Sequence, residues 1–177
     1  EPYRRQRQMC IRDRYAAMEA MVLADATSGV AEAEGLYSES NTADKMFDND
    51  LSTYYETPYM GDDAYLPKDI IVKLDGVYSL NMIDIISHTI QNGGVTEFTV
   101  STSLDGENWT FACSGSVDPN EYRQGQNVTV HALFDLVDAQ YVKLTITGAV
   151  GRIASEDNMY ARIAEMKLYG ITVVDKS

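Results

Sequence analysis

The feature that most constrains this chain is a succession of short β-forming runs, spaced by turn chemistry, with no long helical period between them. The runs cover residues 70–74, 82–87, 97–103, 109–113, 127–133, 141–147 and 163–169. Between them lie Asp75-Gly76, Gln91-Asn92-Gly93-Gly94, Asp105-Gly106 and the stretch 115–125, rich in residues that accept positive φ or tight turns. In 141–147, alternation puts Val142, Leu144 and Ile146 on one face and Tyr141, Lys143, Thr145 and Thr147 on the other, as in a half-buried strand. Consecutive strands without crossover helices pair antiparallel, and their apolar faces need a second layer. The expected fold is all-β: an antiparallel β-sandwich of the jelly-roll kind.

A length of 177 residues fits one domain of ordinary size. Apolar residues make up 45% and charged residues 23%, the balance of a packed globular chain. The formal charge of −13 argues against nucleic acid and anionic membrane as partners, because both require clustered Lys and Arg. Such a cluster occurs only in residues 1–14, EPYRRQRQMCIRDR, which carry five arginines ahead of an acidic remainder. Residues 8–14 resemble a translated transposase adapter from sequencing libraries, so residues 1–14 are read as a non-native segment. Its surplus of +3 leaves −16 for residues 15–177. Cys10 then drops out as a partner for Cys113, and no disulfide is expected.

Residues 15–35, with Met18, Met21, Val22 and Leu23 among Ala and Glu, read as a linker or lead-in segment compatible with a short helix that Gly29 and Gly35 interrupt. The β-rich module is expected over 36–171, followed by a tail at 172–177.

Asp48-Asn49-Asp50-Leu51-Ser52-Thr53 places two carboxylates and a hydroxyl in a turn-forming stretch, the kind of oxygen cluster that a hard cation takes. It is not an EF-hand loop, which requires Gly and Glu where Thr53 and Tyr59 stand. The segment 48–55 resembles the D-G-D-x-x-T-x-W motif of the discoidin, or coagulation factor type C, family. Three more motifs follow in that family's order. Ser103-Leu104-Asp105-Gly106-Glu107-Asn108-Trp109 resembles S-x-D-G-x-x-W, Gln140-Tyr141-Val142-Lys143-Leu144 resembles R-Y-V-R-L, and Ala164-Glu165 through Tyr169-Gly170 resembles A-E-x-x-x-Y-G. The resemblance covers 36–171 and is similar in detail to the bacterial carbohydrate-binding modules of family thirty-two. Asn49 stands where Gly is usual, which suits a left-handed residue, and Tyr55 stands where Trp is usual.

The resemblance implies a galactose-binding-like jelly roll with one structural calcium. Its ligands would be the carbonyls of Lys45, Thr53 and Ala164, the Thr53 hydroxyl, and the carboxylates of Asp48, Asp50 and Glu165. Three formal negative charges suit calcium better than magnesium, which prefers strict octahedra with retained waters. Such an ion would clip the start of the module to its last strand.

The resemblance also implies a shallow glycan site on loops 56–68, 88–94 and 155–161, with Tyr160 and Tyr59 as stacking aromatics and Glu56, His88 and Asn92 as polar contacts. Glu56 and His88 fall where galactose-binding members carry His and Arg, which argues against galactose itself. Binding through His88 would vary with pH near 6.5. Trp109 is expected beside the hairpin rather than in the ligand site, and His131 on a strand surface.

No catalytic set is apparent in the sequence. Asp62-Asp63 has no visible partner, and the calcium cage would be closed by protein oxygens. The leading reading is a non-catalytic carbohydrate-binding module of a secreted, multidomain bacterial protein, acting outside the cell or at its surface. A discoidin-like adhesion module that binds a protein or cell surface is the alternative. Membrane insertion is disfavoured by acidic loops containing Glu56, Asp62 and Asp63.

Overall fold

The structure, a computed structural model, describes residues 38–59 and 65–172, together with two short strands before them. Among the described residues, nine strands run in chain order: β1 (Leu23–Ala24), β2 (Val30–Ala33), β3 (Tyr55–Glu56), β4 (Lys68–Ile86), β5 (Val95–Ser103), β6 (Thr110–Ser116), β7 (Thr129–Ala149), β8 (Arg162–Ile163) and β9 (Glu165–Thr172). Seven form one continuous antiparallel ladder in the order β1-β9-β4-β7-β5-β6, with β2 also paired to β4, and β3 pairs with β8 apart from it.

Two long strands turn this ladder into a sandwich. The first half of β4 pairs with β2 and with the second half of β7, whereas its second half pairs with the first half of β7 and with β9. The pairing breaks register between Lys73 and Tyr78, opposite Tyr141 and Ala139, where both strands can bend from one layer into the other. Asp75-Gly76 is therefore a bulge inside β4 and not a turn between two strands, and residues 127–133 and 141–147 likewise belong mostly to one strand, β7. The short-run pattern reads as separate strands because a bulge and a turn use the same residues.

Both halves feed one core. Ile70, Val72, Phe98, Val142, Leu144 and Ile146 from one half meet Leu80, Ile83, Ile85, Met166 and Leu168 from the other. The alternation expected in 141–147 is present: Val142, Leu144 and Ile146 are fully buried. Full burial of each such side chain is worth about 1.5–3 kcal/mol, which fixes the register because a one-residue slip would expose all three.

Leu23–Ala24 and Val30–Ala33 are strands hydrogen-bonded to β9 and β4, so these parts of 15–35 extend the sheet rather than form a helix. Open edges of β9 and β4 offer unpaired N–H and C=O groups, which override a modest helix propensity. Residues 1–22, with Cys10, and the expected tail beyond Thr172 lie outside the described residues, as do Asp62-Asp63. Cys113 is free and half-buried, and burial pushes its thiol pKa up. Among the described residues no helix is long and apolar enough to cross a membrane.

Candidate functional site

A 3-10 turn, Ala43–Phe47, anchored in the core by the fully buried Met46, delivers the chain to Asp48. Asn49 then adopts φ 58°, the left-handed conformation for which Asn substitutes acceptably for Gly. The Asp48 carboxylate organises the loop: Oδ1 accepts the Asp50 N–H at 2.9 Å and Oδ2 accepts the Thr53 hydroxyl at 2.7 Å. Lys45 Nζ stands 3.6 Å from the same Oδ2. Burial works to raise the Asp48 pKa, but these donors and the lysine outweigh it and hold the carboxyl below its ordinary value.

Glu165, first residue of β9, reaches the same loop from the far end of the chain. It is 2% exposed, and its Oε1 accepts the Asp50 N–H at 3.1 Å. Burial, and then the charge and carboxyl contact of Asp48, push its pKa up, against the pull of the Asn49 and Asp50 main-chain N–H groups. Two carboxylates thus meet in a confined place.

Asp50 contributes differently from expectation. Its Oδ1 accepts from Ser52 twice, from N at 2.9 Å and from Oγ at 2.6 Å, which holds its pKa low. Only its N–H is seen to meet Glu165. Among the described residues, no three His, Cys, Asp and Glu side chains converge to hold a metal by themselves. A cation here would rest on Asp48, Glu165 and neutral oxygens, which is the donor chemistry of a hard ion. Thr53, Lys45 and Ala164 are placed within or beside this junction: Lys45 in the 3-10 turn, Thr53 on Asp48, and Ala164 next to Glu165.

Immediately after the loop, Tyr54, Glu56 and Tyr59 line a cleft of about 390 Å3, with Asn92 from a second loop and Arg152, Glu156, Met159, Tyr160 and Arg162 from a third stretch. The three loop regions expected to carry a ligand therefore do converge.

Arg162 is the hub. Its Nε donates to Glu56 Oε1 at 2.6 Å, its Nη2 stands 2.5 Å from the same oxygen, and its Nη1 donates to the Asn92 carbonyl at 3.2 Å. The guanidinium also lies 5.5 Å from the Tyr54 ring centre and 5.2 Å from that of Tyr160. Gly93, at φ 88°, passes so close that an added Cβ would stand 2.8 Å from Arg162 Cγ.

Four of the five expected ligand residues, Glu56, Tyr59, Asn92 and Tyr160, line this cleft. Their roles differ from the expectation in two cases. Glu56 is 1% exposed, and Asn41 Nδ2 also donates to its Oε2 at 3.0 Å, so it is a buried ion-pair partner. Tyr160 is 6% exposed: its hydroxyl accepts from Asn92 Nδ2 at 2.6 Å and its ring packs on Arg162, so Tyr59, 5.6 Å from it centre to centre, offers the more open aromatic face.

His88 does not line the cleft. It packs behind Tyr54, with ring centres 4.5 Å apart, and its Nδ1 accepts the Ile90 N–H at 3.2 Å. Burial chiefly, aided by the Arg162 charge and opposed by Ser52 and Glu56, holds its pKa below 6.5. It thus braces the loop that follows β4. Trp109 is half-buried with Lys143 Nζ 4.6 Å from its ring, and it is not among the cleft residues. His131 is on the strand surface, paired with Asp84 at 2.6 Å.

Sequence reasoning misses Arg162, Arg152 and Tyr54, while Glu156 and Met159 lie within the expected loop 155–161 without being singled out. The one available signal was Arg162 itself, a basic residue directly after an acidic loop and two positions from Tyr160.

A two-layer antiparallel sandwich whose loops gather an aromatic cleft beside an acidic junction defines a discoidin-type module. Residues 26–166 match the F5/8 type C domain, and the chain belongs to that family. Its fold is shared with CBM32-3 from a family 31 glycoside hydrolase of Clostridium perfringens, at 31% identity and a TM-score of 0.74, covering 84% of this chain and 94% of that one. The family 32 CBM of C. perfringens NanJ, solved in complex with galactose, matches at 22% identity and a TM-score of 0.68, covering 84% and 98%. A C. perfringens family 89 glycoside hydrolase, solved with GlcNAc-α-1,4-galactose, matches at 27% identity and a TM-score of 0.59, over 84% of this chain and 15% of the enzyme.

Proposed function

We propose that this chain is a non-catalytic carbohydrate-binding module: a glycan seats in the cleft beside Tyr59, and one calcium ion fastens the Asp48 loop to β9. The observation that carries the reading is the convergence of three separate loops on one aromatic cleft, in a fold shared with modules that include a galactose complex. Aromatic rings serve the apolar face of a pyranose, and fixed polar groups at the wall select its hydroxyls. Among the described residues, the His88 ring accepts the Ile90 N–H and His131 pairs with Asp84.

The calcium reading is supported by the junction of Asp48 and Glu165. A buried glutamate facing another carboxylate lacks a cation of its own, and calcium supplies the missing charge. Asp48, Glu165 and Thr53 would hold it with the main-chain oxygens of Lys45, Thr53 and Ala164. The Asp50 carboxylate, engaged by Ser52, is left to shape the loop.

One shallow site binds weakly, so its use is to raise the local concentration of an attached partner on a glycan surface. The match to 15% of a much larger hydrolase supports a place in a multidomain protein that works outside the cell or at its surface.

The test is a glycan array read with calcium and with EGTA. Specific glycan signals that weaken as chelation destabilises the fold are expected. A folded, calcium-loaded protein that binds no glycan would overturn the reading in favour of the adhesion module.

A further inference from the structure

We propose that the glycan taken by this cleft carries a carboxylate, and that Arg152 receives it. The inference rests on the carbohydrate-binding reading and specifies its ligand. The observation is the contrast between the two arginines that line the cleft, one buried and fully engaged, the other exposed and mostly open. Both Glu56 oxygens are engaged, Oε1 by Arg162 and Oε2 by Asn41. Arg162 has only 13% of its side chain exposed and places Nε, Nη1 and Nη2 on Glu56 and the Asn92 carbonyl. That buried pair is a wall of the cleft with little left for a ligand.

Arg152 is the opposite case. Its side chain is 74% exposed, and its recorded bond is Nη2 to Glu156 Oε1 at 3.3 Å, one of the five N–H donors that a guanidinium carries. An exposed i,i+4 pair is weak enough to be exchanged for another carboxylate. Asp157, the neighbouring acid, has its Oδ1 on the Gly151 N–H at 2.7 Å. Most of the Arg152 donors are therefore left open where it borders the cleft. The ligand group that answers a guanidinium fork best is a carboxylate, which it binds bidentately, whereas a ring hydroxyl takes one bond.

Arg152 lines the same cleft as Tyr59, so a ring lying on the tyrosine presents its substituents within the space that Arg152 borders. The cleft lining is balanced in charge, Arg152 and Arg162 against Glu56 and Glu156, so the net charge of −13 is not concentrated there.

The test compares ligands that differ in the carboxylate: trigalacturonic acid against its trimethyl ester, and 6′-sialyllactose against lactose, titrated calorimetrically into the calcium-loaded protein. The acid member of at least one pair is expected to bind about tenfold more tightly, worth about 1.4 kcal/mol. Arg152→Ala is expected to erase the difference, and Arg152→Lys to restore part of it, because an ammonium is a point charge without the fork. Neutral members binding as well as the acids, or a preference that survives R152A, overturns the inference and leaves glycan binding standing. A folded protein that binds none of these four and no glycan on the array overturns both.

Discussion

Two glutamates at the same end of the sandwich are almost equally buried, Glu56 at 1% exposed and Glu165 at 2%, and their surroundings are opposite. Glu56 faces the Arg162 guanidinium and the Asn41 amide. Glu165 faces the Asp48 carboxylate and main-chain N–H groups, and among the described residues no arginine or lysine pairs with it. A charge taken out of water must be neutralised, paired or given a metal. Among the described residues, the chain gives the glutamate at the cleft an arginine, whereas at the junction Lys45 pairs with Asp48 and not with Glu165. Because the two regions are joined directly at Thr53-Tyr54, the difference separates what holds the module together from what shapes its cleft.

The comparison breaks most visibly at Arg162. Arg162→Met leaves Glu56 buried without its cation and is expected to cost about 3–5 kcal/mol, read as a lower chemical-denaturation midpoint. The double variant E56Q/R162M should recover much of that loss, and a single variant as stable as the parent would show that the pair carries nothing. Calcium comes next. Saturation at a hundred to a thousand times its Kd should add about 2.7–4.1 kcal/mol, seen as a Tm that rises with calcium and falls with EGTA. Glu165→Gln should abolish this response and be no less stable than the parent in EGTA, and a calcium response that persists in E165Q would remove Glu165 from the cage.

Smaller effects sharpen the division. Tyr59→Ala should weaken glycan binding about tenfold or less, on the order of 0.5–1.5 kcal/mol for an aromatic contact, with Tm unchanged. Tyr160→Ala, by contrast, should lower Tm, because that ring is packed. Smallest is His88, which should titrate below 6.5 when followed by NMR. Its stabilising contribution is then complete above pH 6.5 and is lost as pH falls from there toward its folded-state pKa. A midpoint at or above 6.5 would place His88 in contact with solvent and the cleft.

Much of this molecule could be read in one dimension. The Val142, Leu144, Ile146 alternation, the left-handed Asn49 between two aspartates, and the terminal Ala164-Glu165 strand are local patterns, and each stands where its chemistry implies. The converging ligand loops were found by resemblance and not by period, since loop residues carry no repeat. Tyr160 illustrates the limit: its residue type and position fit a stacking platform equally well whether the ring is open or covered, and only the neighbouring Arg162 and Asn92 cover it.

Residue pattern alone determined the all-β class, the strand faces and the acidic turn, because side-chain period and backbone preference act over a few residues. Tertiary structure alone decided two things: that two pairs of β runs fuse into the long strands β4 and β7, and that Arg162 meets Glu56 across 106 positions. Those outcomes depend on where bulges bend the sheet and which side chains are then shut away from water together, and no local period encodes either.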